Sequence, residues 1–297
     1  MTKTVRTSTL DIAFDESGPA DGTPVLLMHG WPYDPLTYRE VVPRLAAAKC
    51  RTIVPYLRGF GPTRFLSPAT LRSGQQAALG NDLKELLDAL KIERAILVGY
   101  DWGGRACCIA AALWPDRVLG LVTGDGYNIQ DIKNANRPEA PEQECRLWYQ
   151  HYFNAPRGQA GLAANRRELI RLIWRLWSPP WQFDNATFER SAPSWDNSDF
   201  VDVTINSYRV RYGNAPGDPA LQPIEDLLAG RPSIPVPAIS LHGKANGLFP
   251  DRWDKHERHF SGPREHRLLD GVGHNIPAEA PAAVADATLE LLERVRG

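Results

Sequence analysis

The chain has 297 residues, 43% hydrophobic and 23% charged, with a formal net charge of −1 at pH 7, the composition of a globular protein with room for a sizeable core. That balance leaves neither a basic face for nucleic acid nor a polyanionic tail. No run approaches the ~18 apolar residues of a membrane-spanning helix, and no apolar segment follows the N-terminal charges, so a cytoplasmic protein without a membrane partner is expected.

Residues 7–17 alternate in the manner of an edge strand, which Gly18-Pro19-Ala20-Asp21-Gly22 ends. The continuous apolar run Pro24-Val25-Leu26-Leu27-Met28 suits an interior parallel strand and leads directly into His29-Gly30-Trp31-Pro32. A helix over 35–48, a strand over 51–55 and a loop over 57–64 follow. Residues 73–91 place Leu79, Leu83, Leu86, Leu87 and Leu90 at helical spacing. Ala95-Ile96-Leu97-Val98 reads as a buried strand; after a glycine-bearing turn, a helix is expected over 105–114 and a strand over 118–123. Strands alternating with helices in this way predict an α/β fold whose mostly parallel sheet carries helices on both faces.

Between about residues 128 and 231 the rhythm breaks. Trp- and Arg-rich segments at 142–154, 157–176, 184–191 and 199–212 read as helices, and 213–219 as the exit turn from the last of them. Strands at 236–241 and 266–270 and a helix over 278–295 complete the chain. The expected organisation is a core of residues 1–127 and 232–297 with a helical cap, 128–231, inserted into it. Cys50, Cys107, Cys108 and Cys145 show no metal-ligand spacing, and adjacent Cys107 and Cys108 would rarely pair within a helix. Buried free thiols are expected, and neither a metal nor a cofactor.

The other segments serve the stretch Val98-Gly99-Tyr100-Asp101-Trp102-Gly103-Gly104. Strand, sharp turn and helix make a nucleophile elbow, in which the central residue stands free above the sheet. That residue is Asp101, already ionised at neutral pH and able to attack without a base to deprotonate it. The plainer alternative is an Asp capping the helix that follows. Three further signals fall in order around it. His29-Gly30-Trp31-Pro32 ends an earlier strand, where a backbone N–H can join that of Trp102 in an oxyanion hole. Gly271-Val272-Gly273-His274-Asn275 places a histidine after the last strand. The helical insertion would roof the site and exclude water.

On these motifs, and on residues 55–64, the sequence resembles the α/β-hydrolase superfamily, in particular its aspartate-nucleophile branch of epoxide hydrolases and haloalkane or haloacetate dehalogenases. The resemblance covers essentially the whole chain. It implies an α/β-hydrolase fold with a cap inserted after the sixth strand, a nucleophile at Asp101, an oxyanion hole from the backbone of Trp31 and Trp102, a general base at His274, and a structural role for His29. His151, His242, His256, His259 and His266 are expected on surfaces or in structural contacts. Such an Asp would displace a leaving group from an sp³ carbon, and His274 would then activate water against the resulting ester.

The His-Gly-Trp-Pro motif leans to the epoxide hydrolases. Trp148-Tyr149-Gln150-His151-Tyr152-Phe153 and Ser207-Tyr208-Arg209 look like the segments that carry two epoxide-polarising tyrosines. Phenols suit that task because they are protonated at neutral pH and can donate to a developing alkoxide. Alternatively, Tyr149 and Tyr208 simply pack in an aromatic cap. The sequence departs from the family at Asn246, where relatives usually carry the Asp that orients the histidine. Asp125, in Thr123-Gly124-Asp125-Gly126, is the preferred substitute, a position some haloalkane dehalogenases use; otherwise Asn246 marks a lost acid, with Asp251 a more distant candidate. The reading is a hydrolase, most readily of epoxides to vicinal diols and alternatively of carbon–halogen bonds, acting on a small apolar or aromatic substrate plus water. A non-catalytic ligand-binding homologue and an esterase that tolerates Asp at the elbow are the rivals.

Overall fold

The structure is a computed structural model that describes residues 2–250 and 256–296, so Asp251 and Trp253 lie outside the described residues. Eight strands form the body of the sheet: β1 (Lys3–Arg6), β2 (Leu10–Ser17), β3 (Thr23–Met28), β4 (Cys50–Pro55), β5 (Ala95–Gly99), β6 (Val118–Gly124), β7 (Ala238–Gly243) and β8 (Arg264–Leu269). A two-residue strand, Arg64–Phe65, pairs with β2. The order is β1-β2-β4-β3-β5-β6-β7-β8. β1, β2 and β4 run antiparallel, and from β4 onward every pairing is parallel. The apolar runs of β3 and β5 are buried throughout Val25–Met28 and Ala95–Gly99, as a strand covered on both faces requires.

The chain leaves β3 toward β4 on one side and later returns to β5 on the other. The carboxyl ends of β3 and β5 therefore flank a switch point in strand order, where open α/β sheets form their crevice. Trp31 follows one of these strands and Asp101 the other.

The expected helix over 35–48 is two pieces, a 3-10 turn at Pro35–Tyr38 and a helix at Val42–Ala47. Helix Gln76–Ala89 buries Leu79, Leu83, Leu86 and Leu87, whereas Leu90 lies beyond its last turn. Between β6 and β7 the expected long helices are shorter. One breaks at Leu147 into Pro141–Arg146 and Trp148–Asn154, and another at Asn165 into Pro156–Ala164 and Arg166–Trp177. Asn185–Trp195 and Phe200–Arg211 follow. Helix Gln222–Ala229, which was not expected, sends Glu225 onto the start of helix Gln76–Ala89, where its carboxylate accepts from the Ala77 N–H (3.0 Å) and from the Gln75 and Gln76 side chains (3.1 Å each). An anion suits a helix N-terminus with unsatisfied N–H groups.

The helical segment is tied to the sheet by buried polar contacts. Asp34 accepts from Ser191 Oγ and Ser194 Oγ, both at 2.8 Å, and the Pro32 carbonyl accepts from the indoles of Trp174 (3.2 Å) and Trp195 (3.0 Å). Among the described residues no helix is long and apolar enough to cross a membrane. Cys50, Cys107 and Cys108 are buried free thiols, but Cys145 is exposed, on the outer side of a short helix.

Candidate active site

The elbow begins where the buried strand β5 ends. Tyr100 is still extended, Asp101 takes a left-handed φ of 52°, and helix Asp101–Leu113 starts there. Such a backbone conformation is uncommon outside glycine and costs on the order of 1–2 kcal/mol, so the surrounding packing must enforce it. The glycines make that packing possible. A Cβ at Gly103 would overlap the Met28 carbonyl, and one at Gly30 would sit 2.7 Å from the Asp101 Cβ. Asp101 does not cap its helix: its Oδ1 accepts from the N–H of Trp31 (2.7 Å) and of Trp102 (2.7 Å). Two N–H groups from separate strand ends thus converge on one oxygen, leaving Oδ2 free.

His274 faces that second oxygen. Its Nε2 lies 3.6 Å from Asp101 Oδ2 and its Nδ1 3.2 Å from Asp125 Oδ2, so the imidazole stands between two carboxylates. Its backbone N–H donates to Ser178 Oγ (3.0 Å), and the Trp177 ring meets it edge-on at 5.1 Å. Burial opposes a charge on His274, but the flanking Asp101 and Asp125 override it and push the pKa up to about 9. For Asp101, burial is outweighed by His274, by the charge of Arg105 and by the N–H of Trp31, and the carboxyl titrates below its usual value. Asp125 is held lower still, against its burial, by His242 and His274.

The structure separates the roles open to Asn246 and Asp125. Asn246 Oδ1 accepts from the N–H groups of Leu248 (2.9 Å) and Phe249 (3.1 Å), which fixes the amide with its NH₂ toward Asp125, donating to both carboxylate oxygens at 3.1 Å. Asn246 thus turns its NH₂, not its oxygen, toward His274 Nδ1 (3.3 Å), and among the described residues Asp125 is what presents a charged oxygen to that nitrogen. His242, placed by the sequence among merely structural histidines, is buried with its Nδ1 2.9 Å from Asp125 Oδ1. It therefore belongs to the site. His29 is a loop tie: Nδ1 bonds the Gly30 carbonyl (2.9 Å), Nε2 accepts from the Leu57 N–H (3.1 Å), and burial drives its pKa down to about 4. His151 is exposed beside Glu144, and His259 stacks on Tyr127.

A cavity of about 950 Å³ opens above Asp101, lined by Trp102, Arg105, Tyr149 and Tyr208 among others. Tyr149 and Tyr208 come from helices Trp148–Asn154 and Phe200–Arg211, are both buried, and meet edge-to-face at 5.5 Å. Burial holds both phenols protonated, well above their ordinary pKa. Tyr149 accepts from Gln150 Nε2 (3.0 Å), which leaves its own proton available. The Tyr208 hydroxyl makes no hydrogen bond within the described residues. The expected substrate was apolar or aromatic, yet of the described tryptophans only Trp102 lines the cavity, alongside Arg105, Arg211 and Arg231. Arg105 is a site residue the sequence reading missed; its position four residues after Asp101, on the same helix face, was the available signal.

This arrangement can perform a two-step displacement. One carboxylate oxygen is free to attack, the other is held by two donors, and a histidine and a buried acid stand behind. Residues 23–281 match the family model described as the alpha/beta hydrolase fold. "Epoxide hydrolase A" of Mycobacterium tuberculosis is 28% identical over 306 aligned residues, spanning 93% of this chain and 92% of that protein. A solved protein of Klebsiella pneumoniae, whose epoxide hydrolase assignment is itself provisional, superposes with a TM-score of 0.96 at 44% identity, covering 98% of this chain and 96% of that one. A "Haloalkane dehalogenase" of Mycobacterium marinum is 34% identical, but over 122 residues, 40% of this chain and 39% of that protein. Fold, elbow and family match agree, and the chain belongs to the α/β hydrolase fold family.

Proposed function

We propose that the protein is an epoxide hydrolase, converting a small-molecule epoxide and water to a vicinal diol, with residues 128–231 acting as a cap over a core of 1–127 and 232–297. The observation that carries this reading is the pair of buried, protonated phenols, Tyr149 and Tyr208, lining the same cavity as Asp101. In the first step Asp101 Oδ2 attacks a ring carbon, the C–O bond breaks, and a phenol donates its proton to the departing alkoxide. Oδ1 becomes the carbonyl oxygen of the new ester.

Esterification removes the charge of Asp101, one of the two carboxylates that hold His274 protonated. With that charge gone the imidazolium is a stronger acid: it gives up its proton to solvent and, as the neutral imidazole, can then take one from the attacking water. The hydroxide so formed attacks the ester carbonyl carbon, negative charge develops on Oδ1 between the N–H groups of Trp31 and Trp102, and the second alcohol leaves on Oδ2. Asp125, clamped by Asn246 and His242, stabilises the imidazolium. The relatives named epoxide hydrolase support the substrate assignment along nearly the whole chain, whereas the haloalkane dehalogenase match covers 40% of it.

A panel of terminal and aryl epoxides beside short haloacids and haloalkanes, followed by diol and halide release, tests the reading. Diol formation that collapses in Tyr208→Phe is expected. Halide release indifferent to both phenols, with no diol from any epoxide, would overturn it in favour of a dehalogenase.

A further inference from the structure

We propose that Gln150 and Arg211 are positioning residues for ring opening, with Arg211 polarising the Gln150 amide and Gln150 aiming the Tyr149 hydroxyl at the departing oxygen; this rests on the epoxide reading above. Gln150 follows Tyr149 on helix Trp148–Asn154 and is 4% exposed. Its Oε1 accepts from Arg211 Nη1 (2.9 Å) and from Tyr212 Oη (2.7 Å), so both lone pairs of the amide oxygen are taken and the NH₂ is fixed toward Tyr149. Nε2 then donates to Tyr149 Oη (3.0 Å). A phenol oxygen so engaged directs its own O–H away from Gln150, and Tyr149 lines the cavity that holds Asp101.

Arg211 stands in the last turn of helix Phe200–Arg211, three residues after Tyr208, which brings its guanidinium over the Tyr208 ring at 4.9 Å. The Gln130 side chain, its oxygen turned to the guanidinium, accepts from Arg211 Nη2 and Nε at 2.6 Å each. These partners are two amide oxygens and a ring face, all neutral. A charge-assisted bond at an amide oxygen draws electron density from the NH₂ and strengthens it as a donor, so the positive charge acts on Tyr149 through Gln150. Burial pushes the Tyr149 pKa up, and Arg211 and then the Gln150 hydrogen bond work against it. Burial and the neighbouring Tyr149 raise the Tyr208 pKa, and Arg211 opposes them. As Asp101 Oδ2 bonds to the ring carbon and the C–O bond breaks, the Tyr149 proton passes to the departing oxygen, with Tyr208 as second donor to that atom. The tyrosinate left behind keeps the Gln150 N–H, and solvent returns its proton before the next turnover.

The test measures alkylation of Asp101 and hydrolysis of the ester separately, by rapid quench with styrene oxide, in wild type, Gln150→Leu, Arg211→Met and Arg211→Lys, and repeats Gln150→Leu in a Tyr149→Phe background. Gln150→Leu should slow alkylation about tenfold, the scale of one lost hydrogen bond, and leave ester hydrolysis unchanged. In Tyr149→Phe the same substitution should change alkylation less than about twofold, because the atom it acts on is gone. Arg211→Met should slow alkylation at least as much, since it acts on both phenols, with Arg211→Lys between it and wild type. Equal loss from Gln150→Leu with and without the Tyr149 hydroxyl, or equal loss in both half-reactions, would make Gln150 a packing residue and overturn the proposal. Tyrosine labelled with ¹³C at Cζ gives a readout that needs no substrate: the Tyr149 resonance, assigned by its absence in Tyr149→Phe, should shift in both Gln150→Leu and Arg211→Met. If styrene oxide and the wider epoxide panel are left unopened but that resonance shifts in both variants, the relay stands and the epoxide assignment fails. A Tyr149 resonance unmoved in Arg211→Met refutes the relay whatever the substrate.

Discussion

The two sides of the cavity are built differently. On the sheet side the groups are held by fixed partners: Asp101 Oδ1 by two N–H groups and Asp125 by His274, His242 and Asn246, with the loop beside them tied by His29 to Gly30 and Leu57. On the helical side the groups that face the cavity are left open. The Tyr208 hydroxyl makes no hydrogen bond within the described residues, and the Tyr149 hydroxyl only accepts one, from Gln150 Nε2, so both phenol protons are free to donate. The contrast teaches a division of labour. On the epoxide hydrolase reading proposed above, the sheet side fixes the geometry any substrate needs, while the helical side presents donors that a particular substrate completes.

The largest effects should come from the sheet side. Asp101→Ala is expected to abolish turnover while leaving the fold intact, since the elbow residue packs little; circular dichroism beside diol release checks both. Asp125→Asn should slow ester hydrolysis by up to the ~10⁴-fold seen when a relay carboxylate becomes its amide, with alkylated enzyme accumulating in intact-protein mass spectra. Asn246→Asp should not restore anything. It replaces the donor that clamps Asp125 by a second carboxylate facing it, and lower activity with a stability loss of about 1–3 kcal/mol is expected in denaturant titration. A steep gain in turnover would show that Asn246, not Asp125, is the acid position.

On the helical side the losses should be smaller and dependent on substrate. Tyr208→Phe is expected to lower epoxide opening by roughly 10²-fold, the scale of a lost general acid, read from single-turnover rates of diol formation. Equal loss on a haloalkane would show that the phenol only packs.

The smallest effect expected is in stability against pH. The His274 pKa is raised from 6.5 to about 9 in the fold, so its contribution is fully present below pH 6.5 and is lost as pH rises through about 9. The stability of wild type relative to His274→Gln should therefore decline across that window. A difference independent of pH would contradict the charged imidazole between Asp101 and Asp125.

The same division governs how much the sequence revealed. The elbow, the strands that end at Trp31 and Asp101, and the loop of His274 were legible because apolar runs and turn glycines are local signals. The helix breaks at Leu147 and Asn165, and helix Gln222–Ala229 with its Glu225 contact, depend on what each segment packs against. Asp125 and Asn246, 121 residues apart in sequence, could be named as rivals but not assigned roles, because only their distances to one imidazole and to Leu248 and Phe249 distinguish an acceptor from a clamp. Arg105 was overlooked for a related reason: a sequence shows a charge, not that the fold buries it beside Asp101 with two nitrogens lacking a hydrogen-bond partner.

The central claim is that Asp101 forms the ester and water attacks its carbonyl carbon. A single turnover in ¹⁸O-water with enzyme in excess tests it directly. The diol should leave with the Asp101 Oδ2 oxygen and carry no label, while the peptide containing Asp101 gains one ¹⁸O by mass spectrometry. Label in the diol of that first turnover, with the Asp101 peptide unchanged, would mean that water attacks the substrate itself and would contradict the account.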